Sequence, residues 1–469
     1  MRSMLDLSVV LSVAALILTA SPASAQGNWV DADMPGRTPG SLRLRVDPEL
    51  GLMCIGNITE TNNFAAPIIP CYQNGAWSIL RGFRGTVTDA LRFSDTLFVC
   101  GYFYAVVESD GDSIPVNNLA AYYDNGWHAI EGFEYGNGAI RRLKVLDNEL
   151  YALGPFLEAD GQLCHGVAKR VGRQWVPVGL LPLTFPFNAP DIRDAIIYQG
   201  SLYVCGTLDL APNSADGIAR FNGQDWEAPG GGLLGGGHGI AMAVYQDELY
   251  LGGSFSLGPG NAGHAIQKWN GSTWSAVGGH LRDANNTTSG AASCYSLFEH
   301  EGKLLAAGGF QYAGGVPAQT FGYWDGTHWC GTGDVISNGS HSIALYNDTI
   351  FLASGRWVNG DSTNTVVKWV SGAMQGSVCS EPVGMEEASH PSEFIISPNP
   401  ASSSLTLNWS GTTALRYLIT DGLGRTVRTG QLPPRSMGAI NVGDLAAGLY
   451  HIREADQDNG MRTARFLKE

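Results

Sequence analysis

The sequence predicts an all-β protein that consists of a seven-bladed β-propeller and a small C-terminal immunoglobulin-like β-sandwich. Two observations lead to this fold class. A four-strand motif recurs about every 50 residues up to residue 379, and a different set of short strand patterns fills the rest of the chain. The 62 glycines and the 10% of aromatic residues suit short strands and tight turns better than helices.

Residues 242–277 show the repeating unit most clearly. Two β-rich runs flank a tight turn at Asp247-Glu248, and two more flank Asn270-Gly271. A four-stranded sheet of this size cannot bury both of its faces alone, so copies of it must stack on one another. A period near 50 residues with four strands per copy is typical of a β-propeller.

A tryptophan in the fourth strand marks the successive copies of the unit. Its spacing is 45 to 55 residues, and Met374 takes its place in the last copy. Seven copies of the first hairpin accompany it, yet the fourth strand occurs once too often. The first or the last fourth strand must therefore lie outside the pattern or close the ring across the termini. The tryptophans are Trp29, Trp77, Trp127, Trp175, Trp226, Trp274 and Trp329.

Two copies carry a glycine pair after a hydrophobic strand, at Gly252-Gly253 and Gly308-Gly309, with a tryptophan further on. This pattern resembles the kelch type of propeller and the central domain of galactose oxidase. The resemblance covers residues 29–379 and implies an architecture, not an activity, because none of the copper ligands of galactose oxidase can be matched here.

The composition divides the chain into four segments. Residues 1–25 have the pattern of a secretory signal peptide, with Arg2 before a short apolar run and small residues at its end. Residues 27–379 form the predicted propeller. Residues 380–392 are polar, acidic and proline-containing, as linkers are. Residues 393–469 form the predicted sandwich.

The last segment carries motifs in a fixed order: SPNP at 397–400, DGLGR at 421–425, GLY at 448–450 and RFLK at 465–468. This set resembles the type A C-terminal sorting domain of the type IX secretion system of Bacteroidetes. The resemblance implies export across the outer membrane and anchoring at the cell surface; the alternative is an ordinary accessory sandwich. The sorting residues it implies are Pro398, Asn399, Pro400, Asp421, Gly424, Arg425, Gly448, Tyr450 and Lys468.

Alternation along the strands of this segment also predicts its core. Side chains at every second strand position should face the opposite sheet. The expected core residues are Ile396, Leu405, Leu407, Leu418, Val427, Ile440, Leu445, Tyr450 and Ile452.

Charge and cysteine content exclude several classes of protein. The net charge is −15 with only 28 Lys plus Arg and no local basic cluster, which argues against a nucleic-acid partner. No apolar run after residue 25 is long enough for a transmembrane helix. Among the eight cysteines, Cys54 and Cys71 lie on neighbouring strands and are the best candidates for a disulfide. We expect Cys100 and Cys205 to be buried thiols.

Aligned on the third strand, six repeats share a polar column. A shared column in a propeller forms a ring around its axis, which predicts a binding face. The alternative, which the chemistry of short polar residues at turns favours, is that each side chain binds local backbone. The column consists of Asn118, His165, Asp216, His264, Gln319 and Asn364.

No local catalytic signature occurs in the chain, and no metal or cofactor motif is present. The sequence therefore favours a monomeric, surface-anchored binding or interaction module for glycans or proteins. An extracellular polysaccharide-active enzyme, a hydrolase, lyase or oxidase with a loop-built site, is the alternative. Its partners would be the type IX machinery and an extracellular glycan or protein.

Overall fold

We describe the protein from a computed structural model. The chain divides into two compact units, Met1–Val383 and Gly384–Glu469, and each is described by itself. The predicted signal peptide and Met374 lie outside the described residues. The structure describes residues 28–36, 42–60, 63–108, 111–133, 139–183, 189–210, 216–233, 237–257, 261–288, 291–336, 342–353, 357–370, 378–379, 394–397, 401–409, 414–421, 425–434, 436–454 and 463–468.

The first unit contains seven antiparallel sheets of four or five strands, here numbered sheets 1 to 7. In chain order, the first four sheets are as follows. Sheet 1 has Arg43–Asp47, Gly51–Ile55, Ile69–Gln73 and Ala76–Leu80; sheet 2 has Phe83–Phe93, Thr96–Val107, Leu119–Tyr123 and Gly126–Ala129, with Ser113–Pro115 added; sheet 3 has Arg142–Leu146, Glu149–Leu153, Val167–Val171 and Gln174–Pro177; sheet 4 has Asp191–Tyr198, Ser201–Thr207, Ile218–Phe221 and Trp226–Glu227.

The remaining three sheets repeat the same strand order. Short strand pairs and a 3₁₀ turn at Pro229–Gly231 lie in the connections between the strands of the seven sheets. Sheet 5 has Gly237–Tyr245, Glu248–Phe255, Ile266–Trp269 and Trp274–Ala276; sheet 6 has Ser293–His300, Lys303–Gly309, Phe321–Trp324, Trp329–Gly331 and Val378–Cys379; sheet 7 has Ser342–Tyr346, Thr349–Ala353, Val366–Val370 and Asn28–Asp31. The added pairs are Thr59–Glu60 with Asn63–Pro67, Glu158–Ala159 with Gln162–Leu163, Leu281–Arg282 with Tyr312–Ala313 and Val316–Pro317, and Trp357–Val358 with Asp361–Ser362.

In sheets 2 to 7 the first hairpin is closed by a two-residue turn in which at least one residue has a positive φ angle. In sheet 5, Tyr245 pairs with Glu248, so the turn residues are Gln246 and Asp247, one position earlier than expected. Their φ angles are 48° and 59°. Such turns match the right-handed twist of the two strands they join, which explains the Asn and Asp residues at these positions.

Seven apolar clusters hold the sheets together, each between two consecutive sheets. The last of them lies between sheets 7 and 1, where Leu44 and Cys54 pack with Ala344 and Phe351. The order of neighbouring sheets is therefore closed. No sheet needs an apolar face toward water, which is what stacking of the repeats requires.

The tryptophan of the fourth strand links its sheet to the preceding one. Trp329 Nε1 donates a hydrogen bond of 3.0 Å to the backbone oxygen of Val277, and Trp226 Nε1 donates one of 3.0 Å to Val178. Trp274 and Trp77 do the same with carbonyls 45 residues earlier. The period of the sequence is thus the distance along the chain from one sheet to the next.

The N-terminal strand completes the last sheet. Asn28–Asp31 pairs with Val366–Val370, and Trp29 lies opposite Trp369. The Trp29 ring centroid is 5.3 Å from that of Trp369 and 5.1 Å from that of Phe321. The extra fourth strand of the sequence pattern is therefore the one at the N-terminus, and it closes the ring.

The predicted Cys54–Cys71 disulfide is wrong. Cys71 pairs across the sheet with Met53, so Cys54 faces the opposite side, toward sheet 7. Both are buried free thiols, as Cys100 and Cys205 are. The disulfide joins Cys330 and Cys379 instead.

The second unit has two antiparallel sheets, and its core is buried between residues of both. In Leu415–Asp421 the buried apolar side chains are Leu415, Tyr417 and Ile419, so the expected core residue Leu418 is on the other face. Val427, also expected in the core, is 38% exposed. The strands are Phe394–Ser397, Ser404–Trp409 and Ser436–Asn441 in one sheet, and Thr426–Leu432, Leu415–Asp421, Gly448–Glu454 and Thr463–Lys468 in the other.

Most of the other expected core residues are buried. Leu405, Leu407, Ile440, Tyr450 and Ile452 belong to the buried cluster. Leu445 packs partly buried against it. The side chain of Ile396 lies outside the described part of the chain.

Replacing Trp29 with alanine should destabilise the first unit by about 3–5 kcal/mol, because the substitution empties a buried aromatic site. Urea unfolding followed by tryptophan fluorescence and circular dichroism measures this loss. Trp357→Ala is the control, since Trp357 is 49% exposed and its removal should cost little. Equal unfolding midpoints for the two variants would show that the N-terminal strand does not hold the ring closed.

Removing the disulfide should also lower stability. Cys379→Ala frees a chain segment held at a sequence separation of 49 residues, for which chain entropy gives roughly 4 kcal/mol. Thermal unfolding with and without reductant measures the effect. Reductant should lower the midpoint of the natural protein to that of the variant and leave the variant unchanged.

Candidate binding site in the central cavity

The first strands of all seven sheets line one cavity of about 980 Å³, here called the central cavity. It lies where the seven strands face one another. Its lining mixes cationic, hydroxyl and apolar side chains, and the cationic ones come from sheets 1, 3 and 4.

Strand register places one residue of each first strand at the same level, here called the cavity layer. Each pairs with an equivalent residue on the second strand, as Asp194 does with Cys205 and Ser342 with Ala353. Sheets 1 to 4 alternate arginine and aspartate, and sheets 6 and 7 carry serine. The layer consists of Arg43, Asp89, Arg142, Asp194, Ala241, Ser296 and Ser342.

Asp89 connects sheets 1, 2 and 3. Arg45 donates two hydrogen bonds to its carboxylate, at 2.8 and 2.6 Å, and Arg43 Nε lies 3.7 Å away. The backbone N–H of Leu143 donates a bond of 2.9 Å to Asp89 Oδ2. The N–H of Ala90 donates one of 3.0 Å to Oδ1. The fully buried carboxylate therefore has both charge partners and hydrogen-bond donors.

Asp194 repeats this arrangement two sheets further on. Arg142 Nη1 and Lys144 Nζ each lie 2.9 Å from its Oδ1. The backbone N–H of Met242, in sheet 5, donates a bond of 3.0 Å to Oδ2, and that of Ala195 donates one of 2.9 Å to Oδ1. Each carboxylate thus fixes the backbone of the next sheet.

The two serines of the layer also accept a hydrogen bond from the backbone of the next sheet, but through a neutral hydroxyl group. Ser296 Oγ accepts a 3.2 Å bond from the N–H of Ile343, and Ser342 Oγ accepts a 3.0 Å bond from the N–H of Leu44. Four of the seven layer residues therefore bind the backbone of the following sheet.

The charged groups shift one another's proton affinity. Burial lowers the pKa of Lys144, Asp194 opposes this, and the result is about 8. Burial alone would raise the pKa of Asp194, but Arg142 and Lys144 outweigh it and lower the value to about 2. Burial followed by repulsion from Arg142 lowers the pKa of Arg43 to about 10. The site contains more cations than its carboxylates can neutralise.

The predicted polar ring is a different set of residues, and none of its six members lines the central cavity. Asn118, His165, Asp216 and His264 are buried, Gln319 is partly buried and Asn364 is exposed. His264 Nδ1 lies 2.7 Å from the backbone oxygen of Leu281, and His165 Nδ1 makes the same contact with Leu181. These contacts hold the segment that follows the fourth strand.

Asn118 is also one position out of step with the other five. Trp127 pairs with Tyr122, five residues before it as in the other sheets, so the position equivalent to the other five is Asn117. Asn118 has a φ of 66° and corresponds to Gly166, at 83°, and Thr320, at 72°. The left-handed backbone at this position explains the asparagine and glycine.

The sorting residues form local contacts in the second unit. The Arg425 backbone and Nε donate bonds of 3.0 and 2.8 Å to the Asp421 carboxylate, which closes the turn. The buried Lys468 pairs with Gly448 across the sheet, and the Tyr450 ring stacks on Phe466. Pro398, Asn399, Pro400 and Gly424 lie outside the described residues.

The family comparison concerns this second unit. Residues 396–469 match the family of the secretion system C-terminal sorting domain, which confirms the resemblance found in the sequence. The protein is thus exported by the type IX secretion system, to the cell surface or beyond it. Among the described residues, no helix is long and apolar enough to cross a membrane. A search of curated proteins finds no match.

Several solved structures resemble the chain at low identity. The extracellular domain of a hybrid two-component system from B. thetaiotaomicron is 8% identical, covers 91% of this chain and 68% of its own, and has a TM-score of 0.36. YjhT is 12% identical, with 62% and 95% covered and a TM-score of 0.35. An exo-β-1,3-galactanase from Phanerochaete chrysosporium is 10% identical, with 94% and 100% covered and a TM-score of 0.28. Likenesses this remote assign no activity.

Replacing Asp194 with asparagine should cost about 3–5 kcal/mol of stability near neutral pH, because it leaves two buried cations without their counterion. The stabilisation from the ionised carboxylate is present above its ordinary pKa of 3.8 and is lost as the pH falls through about 2. The deficit of the variant should therefore narrow over that range.

Urea unfolding at several pH values measures this deficit. Asp247→Asn, in an exposed turn whose positive φ suits asparagine, is the control and should change little. A deficit that stays constant from pH 7 to pH 2 would contradict the role of the Asp194 charge.

Proposed function

We propose that the protein is a secreted, surface-anchored seven-bladed β-propeller of the kelch type, followed by an immunoglobulin-like sorting domain. In this proposal the propeller is a non-catalytic binding module for glycans or proteins. The observation that carries it is the central cavity, to which every sheet contributes its first strand. A concave site with a few convergent polar groups is where ligands bind in most proteins.

The state of the carboxylates supports binding over catalysis. A general acid or base works best when its pKa is near the operating pH. The pKa of Asp194 is lowered to about 2, and that of Asp89 is also lowered because Arg45 and Arg43 outweigh its burial. Both carboxylates stay ionised and fully hydrogen-bonded at neutral pH. They hold the sheets together and have little capacity to transfer protons.

A polysaccharide-active enzyme is the second candidate, because His238 and Tyr295 lie on the cavity wall with Asp194. Burial, followed by repulsion from Arg193, lowers the pKa of His238, so its ring is neutral and able to accept a proton at pH 7. A glycan array combined with a hydrolysis screen on the purified full chain distinguishes the candidates. Binding without turnover supports the module; turnover abolished by His238→Ala supports the enzyme.

Deleting residues 398–469 should leave a folded propeller in the periplasm of a host with type IX secretion, because the sorting domain is absent. Cell fractionation and protease accessibility at the surface measure its location. The full-length chain in the same host should reach the surface. Normal secretion of the shortened chain would mean that the tail is an accessory domain.

A further inference from the structure

We propose that the central cavity binds an acidic saccharide, a carbohydrate that carries a carboxylate or sulfate group. This inference rests on the proposed binding function and specifies its ligand. The anionic group would lie against the cations of sheets 1, 3 and 4. The sugar hydroxyls would face sheets 5 to 7.

The distribution of charge is the first argument. The whole chain has a net charge of −15 and only 28 Lys plus Arg residues. Six of these line the central cavity, and Asp194 is the one acidic residue among its described lining residues. A cavity lined by one sign of charge concentrates ligands of the opposite sign. The six cations are Arg43, Arg45, Arg141, Arg142, Lys144 and Arg193.

The charges within the layer lead to the same conclusion. Asp89 is neutralised by Arg45 alone, through two short bonds, yet Arg43 also lies beside it. Asp194 has both Arg142 and Lys144 at 2.9 Å. Each carboxylate therefore has one cation more than it needs. Excess charge in a half-buried position is costly unless a further anion compensates it.

Arg43 has donors to offer such an anion. Its Nε donates a 3.3 Å bond to the backbone oxygen of Thr88. A guanidinium group has five N–H donors, and no contact with the described part of the chain engages the terminal nitrogens of Arg43. Its side chain is 27% exposed and lines the cavity. Planar guanidinium donors suit carboxylate and sulfate oxygens.

The opposite wall fits the rest of a sugar. Sheet 6 contributes Ser293 and Tyr295, and sheet 5 contributes His238. These side chains offer hydroxyl and ring nitrogen groups for sugar hydroxyls and an aromatic surface for packing. A volume of about 980 Å³ exceeds what a free inorganic ion would fill and is within the range of small-molecule sites.

The test uses a variant that removes the surplus positive charge and keeps Asp89 and Asp194 paired, so that both still bind the backbone of the next sheet. In Arg43→Gln/Arg142→Gln, Asp89 keeps Arg45 and Asp194 keeps Lys144, so the variant should fold. The control, Arg220→Gln/Lys268→Gln, removes the same charge from ion pairs with Glu227 and Glu248, none of which lines the central cavity. Arg193→Gln is a second cavity variant, and it leaves both buried carboxylates untouched.

Isothermal titration of the full chain with digalacturonate, a sulfated galactobiose, neutral galactobiose and inorganic sulfate gives the readout. Thermal unfolding confirms that each variant is folded. We expect an acidic disaccharide to bind at least about tenfold tighter than the neutral one, and the cavity variants to lose at least about tenfold of that affinity. The control should match the natural protein, and added salt should weaken binding.

The other outcomes separate the inference from the proposed function. Equal affinity for acidic and neutral disaccharides would retain glycan binding and overturn the acidic ligand. Inorganic sulfate binding as tightly as the acidic sugars, or cavity variants that bind like the natural protein, would overturn it as well. No affinity for any saccharide, here or on the glycan array, would overturn both.

Discussion

Seven first strands meet around one cavity, and their backbone N–H groups must find acceptors there. A buried N–H group without a partner costs as much as a lost hydrogen bond, so each junction between sheets needs an acceptor. Asp89, Asp194, Ser296 and Ser342 supply it to the next sheet. An arginine in the cavity layer cannot accept a hydrogen bond. In sheets 2 and 4, which follow such an arginine, Asp89 and Asp194 instead accept the backbone N–H of the next residue in their own strand.

This arrangement explains why the cavity is charged. A buried carboxylate is stable only with cations beside it, and the first strand of a sheet is the nearest place to put them. Arg45 and Lys144 are thus partners of a structural acceptor. Arg43 and Arg142 add charge beyond what those acceptors require. Residues that join neighbouring sheets thus also belong to the candidate binding site, so each role limits which residues the other can use.

Features that depend on one residue type in its local surroundings could be predicted from the sequence. The recurring tryptophan indicated the number of sheets, and the indoles of Trp77, Trp226, Trp274 and Trp329 bond to the preceding sheet about one repeat away. The Asn, Asp and Gly residues that favour tight turns indicated where the hairpins lie. Register was harder to predict, because a shift of one residue turns a side chain to the other face. Such a shift misplaced Asn118 and Leu418, and the same alternation sends Cys54 and Cys71 to opposite faces.

The cationic cavity left almost no local signal in the sequence. Arg43 and Arg142 are about 100 residues apart, and the basic residues near each, Arg45 for one and Arg141 and Lys144 for the other, form only short groups. Only alignment of the first strands by their hairpins would have placed them in one layer with Asp89 and Asp194. Side chains that meet around an axis are brought together by stacking, which no pattern within a single repeat encodes.

The closure of sheet 7 has a consequence for the order of assembly. The strand Asn28–Asp31 is synthesised before its partner Val366–Val370, which follows more than 300 residues later. Such a distant contact is entropically expensive and forms late. Until then, Trp29 and the edge of the last sheet are open to other chains. The order of sheets therefore closes only after almost all of the first unit has been made.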